Sequence, residues 1–137
     1  MSQENYISEP LDLGKALGAT SKASLQLLRL YIPNKDRYSK EFGTQRKWVL
    51  EASNLLATIG GGVTIMPPVE GGWVDENKLI VWEHPIIVYS FIREKEFLEN
   101  LPKLREFLHR LGRETDQGEI AVEFNNEFYR ITNYDEA

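Results

Sequence analysis

Two histidines and a few clustered carboxylates are the groups in this chain whose types and spacing suggest chemistry. Glu83-His84-Pro85 sets a carboxylate beside an imidazole, the side chain that titrates nearest neutrality, so the pair suits general acid/base work. Successive strand residues point to opposite faces, so Glu83 and His84 meet only if a bulge re-aims one of them. Otherwise the tripeptide is a strand end with solvated polar side chains. His109 is the second base. Leu104, Leu108 and Leu111 claim the apolar stripe of its helix, which leaves His109 on the solvated side with Arg105, Arg110 and Arg113. If the chain is an enzyme, Glu83, His84 and His109 are its acid/base candidates, with Glu114 as a further carboxylate partner.

Two loops are candidate ligand sites. The string GRETDQGE, residues 112–119, gathers Arg113, Glu114, Thr115, Asp116 and Gln117 around two glycines. One cation among several hydrogen-bonding side chains suits a small polar ligand or a partner's loop, and sites of this kind are often built on loops. The alternative is a solvated helix-to-strand connection in which Arg113 pairs with an acid. Its acids do not follow the spacing of a calcium loop, so no metal is assigned. The second loop, PNKDRYSKEFG at 33–43, offers Lys35 and Arg37, and an arginine fork can take a phosphate or carboxylate through two bonds. It also reads as a flexible solvated loop.

Other signals carry less. Gly60-Gly61-Gly62 follows a helical pattern and precedes a strand, the reverse of a phosphate-binding loop, so it reads as a helix cap. No serine lies in a nucleophile elbow. Trp73, in the link VEGGWVDE, either packs on the sheet or anchors an interface. No cofactor is expected.

Composition narrows the classes. The chain has 137 residues, which is one domain's length. It has no cysteine, which excludes disulfides, thiolate metal sites and a cysteine nucleophile. The net charge of −5 opposes attraction to nucleic-acid phosphates. The opening MSQENYISEP lacks the apolar run of a secretory signal. The longest apolar run, Ile86 to Ile92, is far short of the roughly 20 residues of a membrane helix. A soluble cytoplasmic protein, away from membranes, is the expectation.

These residues need elements to hold them. Residues 1–22 read as a loosely docked N-terminal arm, with one or two helical turns around Leu11, Leu13, Ala16 and Leu17, and 23–137 as the folded domain. Alternating leucines predict a strand over 23–32, ended by Pro33. Trp48, Ala52, Leu55, Leu56 and Ile59 predict a helix over 44–59 with Thr44 as its N-cap. Short strands are expected at 63–66, 78–82 and 86–92, the last apolar on both faces, with Gly71-Gly72 as a turn. Phe97, Leu101, Leu104, Leu108 and Leu111 predict a helix over 93–111, kinked by Pro102 or split so that Pro102 opens a second helix, with Gly112 as its cap. Strands over 118–124 and 127–132 flank Asn125-Asn126, a two-residue hairpin turn.

The order β-α-β-β-α-β plus one strand predicts an α+β, two-layer ferredoxin-like (split βαβ) sandwich. Its sheet has about five mainly antiparallel strands, with two helices on one face and a C-terminal hairpin. The opposite sheet face carries Arg29 and Tyr31, with Tyr89 and Phe91 or the alternate register beside them. An aromatic open face calls for a cover, so Tyr31, Trp73, Tyr89 and Phe91 are interface candidates and a homo-oligomer, dimer first, is expected. The leading functional expectation is a non-catalytic, self-associating domain that binds a protein partner or a small polar ligand. The alternative is a small acid/base enzyme of isomerase, lyase or hydrolase type using a His-carboxylate pair in a sheet-edge cleft. A further one is single-stranded nucleic-acid binding by Tyr31 with Tyr89 or Phe91, which requires a positive rim.

Overall fold

A computed structural model describes residues 10–137. Residues 1–9 of the expected arm lie outside the described residues. The rest of the arm forms one short helix, α1 (Leu13–Leu17), capped by the Asp12 side chain and closed by left-handed Gly18.

The five-stranded sheet is built around β1 (Gln26–Ile32). Leu28, Leu30 and Ile32 are fully buried on one face, while Leu27, Arg29 and Tyr31 lie on the other. Helix α2 (Gln45–Gly60) follows, and its stripe of Trp48, Val49, Ala52, Leu56 and Ile59 covers the leucine face. Thr44 stands at its N-cap without capping through its side chain; its hydroxyl instead accepts the indole N–H of Trp48 at 3.2 Å. Gly61, at φ 84°, ends the helix, as the glycine run suggested. A two-residue strand, β2 (Thr64–Ile65), then forms one edge of the sheet.

The next segment departs from expectation. Gly71-Gly72 is not a turn but part of a strand, β3 (Gly71–Val74), which pairs with β4 (Ile80–Glu83) in a separate two-stranded ribbon. The turn lies further on, where the Asp75 carboxylate accepts from the amides of Asn77 and Leu79 and Lys78 takes a positive φ. The glycine is needed for packing rather than turning. A Cβ at Gly72 would come within 2.8 Å of Ile80 and 3.1 Å of the Trp82 ring.

Strand β5 (Ile86–Ile92) returns to the main sheet beside β1, with Arg29 opposite Tyr89 and Leu30 opposite Val88. This register settles the two-sided apolar strand. Ile86, Val88, Ser90 and Ile92 face the helices; Ile87, Tyr89 and Phe91 face outward. The helical region divides at Asn100 into α3 (Glu94–Glu99) and α4 (Leu101–Glu114), with Pro102 in the first turn of α4, where its missing N–H costs nothing. Gly112 does not cap α4. The helix runs through it, because Gly112 is buried beneath the Tyr134 ring.

The chain ends with β6 (Ile120–Phe124) and β7 (Glu127–Ile131). Asn125 and Asn126, at φ 52° and 68°, form the two-residue turn between them. The strand order is β2-β5-β1-β6-β7, antiparallel throughout, with the helices on one face: a ferredoxin-like sheet extended by β7. The core joins Leu28, Leu30 and Val88 of the sheet to Leu56, Leu108 and Leu111 of the helices. Each such side chain contributes roughly 1.5–3 kcal/mol when fully buried.

Candidate active-site cleft

The β3–β4 ribbon stands over the outward sheet face and encloses a cleft of about 790 Å³. Tyr31, Ile87 and Ala121 form its floor, Trp73 and Glu83 its ribbon wall, and Phe128 and Arg130 of β7 its far side. The pairing of the ribbon explains the wall. Gly71 lies opposite Glu83 and Trp73 opposite Val81, so these side chains share the inner face, while Trp82, Val74 and Ile80 share the outer one.

Glu83 and Tyr31 are the groups in the cleft lining with perturbed acidity. Burial pushes the Glu83 carboxyl above the usual carboxylate range, and the nearby Lys35 ammonium offsets this in part. On the sheet face, Tyr31 donates its hydroxyl to Glu123 Oε1, and Arg29 Nη1 donates to Glu123 Oε2 at 3.0 Å. Burial, then the Glu123 hydrogen bond, pushes the Tyr31 hydroxyl above the ordinary phenol range, so it is a donor at neutral pH. The two arginines lining the cleft are engaged: Arg130 bonds Glu119 at 2.6 Å and Arg37 bonds Asp116 at 2.8 Å.

The two loops singled out from sequence meet at the mouth of this cleft and are largely occupied with each other. Arg37 Nη2 donates to the Gln117 carbonyl at 3.1 Å, the Gln117 carboxamide donates to the Lys35 carbonyl at 2.8 Å, and Lys35 Nζ donates to the Trp82 carbonyl at 3.1 Å. Thr115 is buried with its hydroxyl on the Leu111 carbonyl. Arg113 points away, to the Asp135 carbonyl, and Glu114 is exposed outside the cleft.

The histidines do not join Glu83. His84 is exposed and outside the cleft lining; its amide donates to Asn34 Oδ1 at 2.8 Å and its carbonyl accepts from Gln45. His109 is not on a solvated face: it is 8% exposed, because the C-terminal segment folds over it. Its Nδ1 accepts the Asp135 amide at 2.8 Å and lies 3.5 Å from the Asp135 carboxylate. Its acidic partner is thus Asp135, not Glu83 or Glu114. Sequence reasoning missed Asp135 because nothing local marks a tail residue that docks 26 positions back along the chain.

Of the aromatic candidates, Tyr31 and Trp73 line the cleft, whereas Tyr89 and Phe91 lie outside its lining in an edge-to-face pair at 6.2 Å. The cation beside Tyr31, Arg29, is spent on Glu123, so the positive rim required for stacking single strands is not formed there.

No protein-family model matches the chain, and no curated protein matches it. Among solved structures it is similar to a phage SAM lyase, in complex with S-methyl-5′-thioadenosine (TM-score 0.56) and in the apo state (TM-score 0.51). Both comparisons have 11% identity and cover 82% of this chain and 92% of that one. At this identity the match shows a shared fold. It nevertheless corrects the expectation of a non-catalytic module, which was drawn from an open-faced sheet without visible catalytic groups. The same architecture carries a lyase in the phage protein, and here it supplies a buried His109 beside the exposed Asp135 carboxylate and a half-buried acid in a cleft.

Proposed function

We propose that this chain is a small lyase-type enzyme working in the cleft beneath the β3–β4 ribbon on a cationic adenosyl sulfonium such as S-adenosylmethionine. The observation that carries this reading is an acid-bearing cleft of about 790 Å³ in a chain whose fold matches, over 82% of its length, a phage SAM lyase seen with S-methyl-5′-thioadenosine. The chemistry of the lining agrees with a cationic ligand. Arg37 and Arg130 are ion-paired, the lining holds more acids (Asp36, Glu70, Glu83 and Glu119) than cations, and Trp73 adds an aromatic face.

Cleavage between sulfur and the aminobutyrate chain returns the bonding pair to the sulfonium and leaves a neutral thioether. No acid is needed at sulfur. The replacing bond at the γ-carbon comes from the substrate itself. Either its own carboxylate closes a lactone, or the Glu83 carboxylate takes the adjacent proton and the C–H pair becomes a double bond. The cleft orients the chain and excludes water; Glu83, raised by burial, is a stronger base than an ordinary carboxylate.

The test is mass spectrometry of S-adenosylmethionine incubated with the protein in ¹⁸O-water. Release of S-methyl-5′-thioadenosine with no ¹⁸O in either product is expected, and the unsaturated or lactone form of the second product identifies the route. Glu83→Gln should cut turnover on the order of 100-fold if Glu83 is the base. Release no faster than in buffer alone would defeat the reading.

We also propose that the enzyme is a homo-oligomer. The outer face of the ribbon is apolar and bare: Trp82 is 55% exposed, beside Val74 and Ile80. A two-stranded ribbon is marginal alone, and an apolar face centred on tryptophan suits a second copy of the chain.

A further inference from the structure

The segment after β7 folds back onto α4 and is fastened at two points. Tyr134 lays its ring against Gly112, where any Cβ would fall inside the ring. Asp135 is gripped by α4: Arg105 donates to both carboxylate oxygens at 2.7 and 2.9 Å, Arg113 donates to the Asp135 carbonyl, and the Asp135 amide donates to His109.

This strap is connected to the cleft. The Tyr134 hydroxyl donates to the backbone carbonyl of Gln117 at 2.9 Å, the same carbonyl that accepts from Arg37. Gln117 is 6% exposed, and its side chain holds the Lys35 carbonyl. Lys35 in turn tethers the ribbon through the Trp82 carbonyl, and the Arg37 amide donates to the Asp116 carbonyl at 2.9 Å. A continuous run of hydrogen bonds therefore links the C-terminal strap to the mouth of the cleft and to its ribbon wall.

We propose that Tyr134 is a positioning residue: the strap, anchored on α4 by Asp135 and acting through the Tyr134–Gln117 bond, fixes the Lys35–Arg37 loop and with it the opening of the cleft beneath the ribbon. The inference rests on the proposed lyase reading for the choice of ligand and on hydrogen bonding alone for the loop.

Hydrogen exchange of the full chain, without ligand, tests the loop. Tyr134→Phe keeps the ring on Gly112 and removes only the hydroxyl, so a role limited to packing would leave it like the wild type. Loss of one intramolecular hydrogen bond, net about 1 kcal/mol, should speed amide exchange over residues 33–43 about fivefold. KM for S-adenosylmethionine should rise about as much, with kcat unchanged. Gly112→Ala, which displaces the ring while retaining the hydroxyl, should loosen the same loop. Wild-type exchange over 33–43 in both variants overturns the proposal. So does a loosened loop with an unchanged KM. If the wild type does not turn over S-adenosylmethionine, the lyase reading and the cleft role both fall, while the exchange result still decides whether the strap holds the loop.

Discussion

At Glu83, burial outweighs the opposing field of Lys35, and the folded protein holds the carboxyl proton more tightly than the unfolded chain does. The sign follows from linkage. A folded pKa above the unfolded value gives stability that is complete below the ordinary carboxylate range and is lost as pH rises through the raised value. Glu83→Gln keeps the shape and removes the titration. Melting temperatures from pH 4 to 7 should therefore show the variant equal to the wild type at the acidic end and above it at neutral pH. Parallel profiles would mean that burial does not perturb this carboxyl. The residue stood out in the sequence as half of Glu83-His84; in the structure β4 ends at Glu83, and His84 lies beyond it, exposed and outside the cleft lining. That the Glu83 side chain turns under a ribbon depends on Gly71 and Trp73, ten or more positions away, and no local pattern carries that information.

Among the elements, the ribbon and the C-terminal hairpin show two uses of small or turn-prone residues. Asn125 and Asn126 both take positive φ, which asparagine accepts and glycine accepts more readily. Asn126→Gly should stabilise the protein by a few tenths of a kcal/mol, roughly 1–2 °C in Tm by calorimetry. A lower Tm would show that Asn126 contributes more than its backbone conformation. The Gly71-Gly72 pair resembled a turn signal in the same way, yet it lies in a strand because Trp82 and Ile80 occupy the space a side chain would need. Local chemistry identified the first case because a hairpin turn is a local structure. It misread the second because the steric demand comes from across the strand.

At the scale of the whole molecule, apolar surface remains on both sides of the ribbon and on the outer sheet face, where Phe91 is 53% exposed. Light scattering coupled to size exclusion should give a multiple of the chain mass, and Trp82→Ser should shift it toward the monomer with little change in the far-ultraviolet circular dichroism. A wild-type monomer at micromolar concentration would remove the oligomer from the proposal. The net charge of −5 disfavours nonspecific association with polyanions and leaves shape and apolar contact to select the partner.

The sequence by itself determined the order of the helices and of the strands of the main sheet, the leucine face of β1, the stripe of α2, the division of the last helical region near Pro102 and the asparagine turn, but not strand β3. Each is set by side-chain periodicity or by backbone preference within a few residues. From these the two-layer sheet followed, because few arrangements of that order bury both helices on one face. Only the tertiary structure decided which side of Ile86–Ile92 meets the helices, since both sides are apolar and pairing with β1 sets the register. It also decided that His109 is buried, that its partner is Asp135, and that the loops at 33–43 and 112–119 bond to each other at the mouth of a cleft. Those facts rest on contacts between segments distant along the chain, and the closing of the chain on itself brings them into being.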